Sequence, residues 1–374
     1  MSSAATSVMI VGGGTAGHVL PGVAIGKALV RRGYLAESIH FVGSERGVER
    51  TLVPEAGFGL TVLPGRGIQR RLTRENLGAV AGLVRAFAVS FSLLRAHRPS
   101  VVVALGGYAS VPAGLWAVLL RVPVVVAEQN AVPGLANRLI GRFAKVCAVS
   151  FDGTDLPRAV WTGNPVRPEV LAVGSTESGR AVAREKLGAD PKRHLVVVFG
   201  GSLGARTIND AVVGSLASLG DRDDLEIRHI IGHRDFADVS ARVFSETLTG
   251  LSYTPVEYES DMATVYEAAD LVVCRSGATS CAELAVTGTP SVLVPLPGAP
   301  GDHQTANARA LERAGGAELL ADSIFDSQLF IDTVLRLLSE PNILQSMSVG
   351  ARRIARPDAA EALADLVELH GSLQ

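Results

Sequence analysis

The sequence predicts an α/β fold of two halves, each a parallel sheet covered by helices. Three observations predict it. Short β-branched runs alternate with helix-patterned segments along most of the chain. The runs are continuously apolar, the pattern of strands buried on both faces. The same opening also occurs twice, as VMIVGGGTAG from Val8 and HLVVVFGGSLGA from His194, each a strand running into a glycine loop.

The elements follow in order. Strands are expected at 7–11, 39–42, 101–105, 122–127 and 146–150, then at 195–199, 226–231, 271–274 and 291–295. Helical patterns fill most of the gaps, as at 23–30. Each half later carries a strand, a small-residue turn, a helix and a Pro-led strand. VVVALGGYASVPAGLWAVLLRVPVVV matches LVVCRSGATSCAELAVTGTPSVLVP in that respect. GNPVRPEV, from Gly163, has the Pro-rich look of a linker. The expected domains are 1–165 and 166–351. A final helix, about 352–374, has no strand after it and is expected to pack back on the first half. Two Rossmann-like halves facing each other across a cleft fit this pattern.

Composition sets bounds. At 374 residues and 47% apolar, the chain can bury two cores. A net charge of −2 argues against a nucleic-acid partner held by bulk electrostatics. Cys147, Cys274 and Cys281 lack metal-ligand spacing and read as reduced, mostly buried thiols. The N-terminus has no basic n-region or long apolar h-region, so no signal peptide is expected. The most apolar stretches are broken by Gly106, Gly107, Pro112, Arg121 and Pro123 and make poor membrane spans. A soluble cytoplasmic protein is the expectation.

A doubly wound fold binds ligands at the carboxyl ends of its strands. Gly12, Gly14 and Gly17 fit a dinucleotide fingerprint, and the loop offers amides and a helix dipole to an anion. A dinucleotide site also needs an acid at the end of the second strand, and Glu45 comes slightly late. His18 has two readings. The helix dipole would keep it neutral, as a general base requires, or it packs locally. The loop GGSLGAR, from Gly200, adds Ser202. Two such loops in equivalent places favour a diphosphate or two phosphorylated substrates. Glu283 in CRSGATSCAELA suits a ribose diol, or is merely favourable near a helix N-terminus. Gln304 and Asn307 in DHQTANA suit sugar hydroxyls, while Asp302 could simply be an N-cap.

GGGTAGHVLPG, GGYASVPAG, AEQNAVPGLANR, GNPVR, FGGSLGAR, CRSGATSCAELA and DHQTANA occur in this order. Together they resemble the MurG family of bacterial peptidoglycan glycosyltransferases, over most of the chain. The resemblance implies a GT-B fold, two Rossmann-like domains with parallel sheets facing a deep cleft. It implies transfer of N-acetylglucosamine from UDP-N-acetylglucosamine to lipid I, giving lipid II. It implies that the first domain faces acceptor and membrane and that the second binds donor.

By position, His18 is then the catalytic base. Thr15, Ala16, Gly17 and Asn130 approach the donor sugar or diphosphate. Arg167 and Ser202 face its phosphates. Gly277, Ala278, Thr279, Ser280, Cys281 and Ala282 lay the turn against the donor. Glu283 takes the ribose, Gln304 the sugar hydroxyls, and the backbone near Glu259 the uracil. Gly13, Gly14, Gly106, Gly107 and Tyr108 meet the acceptor. Two departures stand out. Ala16 replaces a common glycine, costing about 1 kcal/mol if its φ is positive. Glu259 replaces a frequent apolar residue.

The implied reaction is displacement with inversion, the leaving UDP stabilised by helix N-termini and Arg167. No cofactor or metal is required by this reading. Asp221-Arg222-Asp223 has the form of a metal-binding Asp-x-Asp but precedes a strand, at the wrong end of the sheet, and reads as a solvated turn. Lipid I lies in a bilayer. Residues 66–98 hold seven arginines and one acid, Glu75. The helix at 77–94 is expected to pack through Val80, Val84, Phe87, Phe91 and Leu94. That leaves Leu77, Leu83 or Ala86 beside Arg70, Arg71 and Arg74 to meet an anionic membrane surface, unless this is a buried helix with a solvated basic edge. The expected place is the cytoplasmic face of the plasma membrane, as a peripheral protein, with cell-wall machinery as a possible partner. An NAD(P)-dependent oxidoreductase and a non-catalytic sugar-nucleotide binder remain as rival readings.

Overall fold

The computed structural model describes residues 7–45, 47–65, 75–174, 176–201, 204–243 and 248–371; side chains of residues 75–80 lie outside that description. The chain forms two compact units. One comprises residues up to Val166 and from Arg356 onward, the other Arg167–Ala355.

The first unit is a seven-stranded sheet in the order β3-β2-β1-β4-β5-β6-β7. The strands are β1 Val8–Gly12, β2 Ile39–Ser44, β3 Gly59–Leu63, β4 Val101–Gly106, β5 Val124–Glu128, β6 Val146–Val149 and β7 Ala159–Trp161. All pairings are parallel. The helices between them are α1 Ala16–Arg31, α2 Glu49–Glu55, α3 Glu75–His97, α4 Ser110–Leu119 and α5 Leu135–Gly141.

The second unit opens with α6 Pro168–Leu171 and α7 Glu177–Leu187. Its parallel sheet has six strands in the order β10-β9-β8-β11-β12-β13. They are β8 His194–Phe199, β9 Leu225–Ile230, β10 Ser252–Val256, β11 Leu271–Cys274, β12 Ser291–Leu293 and β13 Ala317–Leu319. Its further helices are α8 Arg206–Leu219, α9 Phe236–Val243, α10 Met262–Ala268, α11 Ala278–Thr287, α12 His303–Arg313, α13 Ser327–Leu338 and α14 Pro341–Arg353. The chain then returns to the first unit as α15 Ala359–Gly371.

The two faces of the first sheet bury separate cores, because successive residues of a strand point to opposite sides. Val8, Ile10, Val101, Val103 and Val125 face α1 and α15; Met9, Val11, Val102, Ala104 and Val126 belong to the opposite core. Leu363, Ala364 and Val367 form the apolar stripe of α15 and enter the first core. Outside that stripe, Arg32 bridges to Glu361, Asp365 and Glu368, acids one and two turns apart. Arg356, at the re-entry, stacks over the Trp161 ring at 3.7 Å. The expected helix about 352–374 is therefore two helices with a break at 354–358. All three cysteines are free and buried, and burial pushes the Cys147 thiol up to about 11 and Cys281 to about 12.

Four strands were not expected, β3, β7, β10 and β13. All four are sheet edges, where less apolar sequence suffices, and β7 and β13 have only three residues each. The buried face of α3 also differs from expectation. Ala86, Ser90 and Leu94 are buried, whereas Val84 is 65% exposed. Small residues set the rotation. Gly82 lies against the Gly65 backbone, and Phe91 turns sideways onto Trp116 of α4, with ring centroids 4.7 Å apart.

Leu363 is fully packed, so Leu363→Ala should cost about 2–5 kcal/mol. Scanning calorimetry should show the loss in the transition of the first unit and spare that of the second. An unchanged first transition would mean that α15 is not part of that core's cooperative unit.

Candidate active site

In a parallel sheet every strand ends at the same edge. The first sheet therefore lines up the loops after β2, β1, β4 and β5, and the second those after β10, β9, β8, β11 and β12. Every expected site residue among the described ones lies in or beside one of these loops, or on the linker into the second unit.

The first loop leaves β1 with Gly12, Gly13 and Gly14 at φ of 139°, 144° and 98°. Only glycine takes such angles without strain. Ala16 and Gly17 are already helical and have no positive φ, so alanine at 16 carries no penalty. Thr15 is the N-cap position of α1, but its hydroxyl does not cap. It meets Nδ1 of His18 at 2.9 Å. In the tautomer that donates Nδ1–H to Thr15 Oγ1, the basic lone pair is on Nε2.

A carboxylate underlies this loop. Glu49, the first residue of α2, is 1% exposed. It accepts hydrogen bonds from the Gly14 amide at 2.9 Å and from the Ser44 amide and hydroxyl at 2.6 and 2.8 Å. A Cβ at Gly13, Gly43 or Gly47 would run into it, so three glycines make room for this one side chain. Burial pushes the Glu49 carboxyl up. The hydrogen bonds from Ser44 and Gly14 outweigh it and hold the group below its ordinary value.

Beside it, Gly107 packs against the Gly13 carbonyl, and the Gly13 amide donates to the Gly106 carbonyl at 3.3 Å. Ser110 stitches the two loops, its hydroxyl donating to the Val11 carbonyl at 2.8 Å and accepting from the Gly106 amide at 2.9 Å. Tyr108 donates its hydroxyl to Pro64 at 2.9 Å. After β5, Glu128 is buried and gathers the next loop, accepting from the amides of Asn130 and Gly134 and from the Asn137 side chain. Thus Gly13, Gly14, Thr15, His18, Gly106, Gly107, Tyr108 and Asn130 share one edge of one unit.

In the second unit, α11 begins at Gly277 with no side-chain cap, leaving its first-turn amides and the helix dipole to an anion. Glu283 lies on this helix and is 4% exposed. Both Nε and Nη2 of Arg167 donate to its Oε1, at 3.2 and 3.0 Å, and the Tyr266 hydroxyl donates to Oε2 at 2.9 Å. Gln304 accepts the Leu296 amide through Oε1. Asn307 is fully buried and donates to the Ser276 carbonyl, which makes it a brace rather than a sugar ligand. Asp302 precedes α12 but accepts the Thr305 hydroxyl rather than a helix amide. The Glu259 side chain is taken up by Arg228 of β9 at 2.8 Å and by the Asp261 amide, which accounts for an acid at that position. Asp221 to Asp223 stand before β9, at the opposite edge, where Arg222 pairs with Asp224. Ser202, Arg70, Arg71 and Arg74 lie outside the described residues, as does the side chain of Leu77.

The comparisons with known proteins follow the same division. Residues 8–149 match the glycosyltransferase family 28 N-terminal domain and residues 195–363 its C-terminal domain. The chain belongs to glycosyltransferase family 28. Its family 28 relatives include proteins from Myxococcus xanthus (39% identical, covering 96% of this chain and 91% of the relative) and Caldanaerobacter subterraneus (37%, 96% and 98%). Both are named UDP-N-acetylglucosamine–N-acetylmuramyl-(pentapeptide) pyrophosphoryl-undecaprenol N-acetylglucosamine transferase. Among solved structures, Acinetobacter baumannii MurG superposes with a TM-score of 0.78 at 29% identity, covering 97% of this chain and 99% of that one. The glycotransferase of kitacinnamycin, at 17% identity and a TM-score of 0.71, shares the fold. The fold is GT-B, with two Rossmann-like parallel-sheet units.

Sequence reasoning missed three buried residues that hold these loops and Glu283, namely Glu49, Glu128 and Tyr266. Glu128 stood inside the quoted AEQN. Glu49 had a faint signal, an acid preceded by Gly43 and Gly47 after β2. Nothing in the spacing separates it from Glu45.

Glu49→Gln places an amide N–H against backbone N–H donors. It should cost about 1–3 kcal/mol at neutral pH. Because the folded-state value of Glu49 is depressed, its contribution is present above the unfolded value of about 4.3 and is lost as pH falls through the folded one. Urea denaturation at pH 7 and pH 3 should show the gap between wild type and variant closing on acidification. An equal gap at both pH values would remove the ionised carboxylate from the account.

Proposed function

We propose that this chain is an inverting hexosyltransferase. It moves N-acetylglucosamine from UDP-N-acetylglucosamine to the muramoyl sugar of lipid I, undecaprenyl-pyrophosphoryl-N-acetylmuramyl-pentapeptide, to form lipid II. The observation that carries this reading is the shared name of relatives matched along 96% of the chain. The site geometry supports it. An uncapped α11 N-terminus and Arg167 suit a departing diphosphate, and Glu283 suits a ribose diol. Thr15 on Nδ1 of His18 suits a base acting through Nε2 on the acceptor hydroxyl. Ser202 is assigned to the phosphates, Gln304 to the sugar and the backbone at Glu259 to uracil. No step needs a metal, since developing negative charge meets helix amides and a guanidinium.

The dehydrogenase alternative is disfavoured by Glu49. A dinucleotide site needs a carboxylate at the end of β2 free to take a ribose. Here Glu45 comes just past the end of β2, and the next acid, Glu49 at the start of α2, is buried and already engaged by Gly14 and Ser44.

The deciding experiment measures transfer of labelled N-acetylglucosamine to a lipid I analogue by wild type and His18→Gln. Wild type should form the disaccharide product. His18→Gln keeps hydrogen bonding but cannot accept a proton, so kcat should fall roughly 10²–10⁴-fold with UDP affinity little changed. No transfer by folded wild type would sink the function, and near-normal kcat in the variant would reduce His18 to positioning.

Lipid I also places the work at the cytoplasmic face of the plasma membrane, as a peripheral protein. Among the described residues no helix is long and apolar enough to cross a membrane. Exposed apolar side chains supplement the arginine-rich 66–98 stretch. Leu135, Leu139 and Phe143, at 79%, 38% and 57% exposure, recur every fourth residue along and just beyond α5, beside Arg138 and Arg142. Arginines near an anionic surface contribute about 1 kcal/mol each and are screened by salt. Charge reversal of Arg70, Arg71 and Arg74 should weaken sedimentation with anionic vesicles and spare transfer to a soluble acceptor. Equal sedimentation would assign those arginines to a solvated edge.

A further inference from the structure

The two oxygens of the Glu283 carboxylate are held unequally. Oε2 faces inward to Tyr266, which is 3% exposed and packs edge-on against Phe199 at the end of β8. Oε1 faces Arg167, whose side chain is 37% exposed. A ligand arriving from solvent can therefore compete for Oε1, whereas Oε2 is covered by the buried Tyr266.

We propose that Tyr266 is a positioning residue for donor selection, fixing Oε2 of Glu283 so that Oε1 is offered to the ribose diol, with Arg167 as the partner that yields. The proposal rests on the reading of Glu283 as the ribose acceptor. It gives the two partners different tasks. The tyrosine never leaves. Its hydroxyl has one proton and spends it on the carboxylate, so the plane of the carboxylate is set before any nucleotide binds. The guanidinium holds Oε1 by two N–H groups and can exchange it for ribose hydroxyls. Released, it is free to meet the diphosphate of the same ligand, which couples recognition of the ribose to neutralisation of the leaving group. Without the tyrosine hydroxyl the carboxylate would be free to rotate towards Arg167 and chelate it with both oxygens, the preferred bidentate pairing of these two groups. The diol would then face a carboxylate already closed.

The test is calorimetric binding of UDP and 2′-deoxy-UDP to the full chain. Wild type should bind UDP about fivefold or more tightly than 2′-deoxy-UDP, the worth of one hydrogen bond. Tyr266→Phe should bring that ratio close to one. A ratio kept in Tyr266→Phe, or an equal weakening of both nucleotides, overturns the proposal and leaves Tyr266 a structural filler. A wild-type ratio of one overturns the ribose reading beneath it. If Tyr266→Phe melts below the assay temperature, Tyr266→Phe with Glu283→Gln leaves no buried charge unpartnered. It is compared with Glu283→Gln alone, and any difference in ribose preference between those two overturns the proposal, because Tyr266 then acts otherwise than through Glu283.

Discussion

The structure depends on one constraint, that a parallel strand cannot turn directly into its neighbour. Each connection must travel back along a face of the sheet, and here helices do most of that work. Both faces are consequently buried, and central strands such as β4 and β8 are almost wholly apolar. All irregular backbone after the strands is collected at one edge of each sheet. Chemistry is confined there because it is where backbone amides and helix N-termini are not consumed by the ladder. The loops after β1, β4 and β5 in one unit, and after β8, β11 and β12 in the other, are products of this rule.

A second regularity is the use of buried glutamates. Glu49, Glu128 and Glu283 each lie beside a strand-end loop, and each is almost wholly buried. The first two spend their oxygens mainly on loop amides, the third on a tyrosine and an arginine. Burying a carboxylate is costly unless every lone pair is occupied. The cost is offset because the same hydrogen bonds satisfy loop amides that have no strand or helix partner. Such a loop holds one shape, and substrate groups meet a surface that needs little rearrangement.

Central strands were legible in the sequence because full burial leaves nothing but Val, Ile, Leu, Ala and Phe in runs such as 101–105 and 195–199. The edge strands β3, β7, β10 and β13 were not, since one unpaired side lets them carry Thr61, Arg158 beside Ala159, Tyr253 and Glu318. The face of α3 was misjudged for a related reason. Periodicity gives the apolar stripe, but here the helix is apolar nearly all round, and Gly82 against Gly65 decides the rotation. The glycine loops announced themselves through φ angles that only glycine takes freely. The carboxylates beneath them did not, because an acid spent on its own loop is spelled the same as one spent on solvent. Tyr266 was hidden altogether, one apolar-looking position on a short helix.

The second unit is an insertion in the first. The chain leaves the first unit at Val166 and re-enters it at Arg356, and α15 supplies Leu363, Ala364 and Val367 to a core whose other walls were laid down in the first 150 residues. On a ribosome this order matters. The 167–355 segment emerges whole and has every strand of its sheet before α15 exists. The earlier-made sheet, with α1 on it, waits with only the part of that face meant for α15 uncovered. During synthesis the older unit is thus the later to be completed, and its exposed face is the surface that holdase chaperones would meet on the nascent chain.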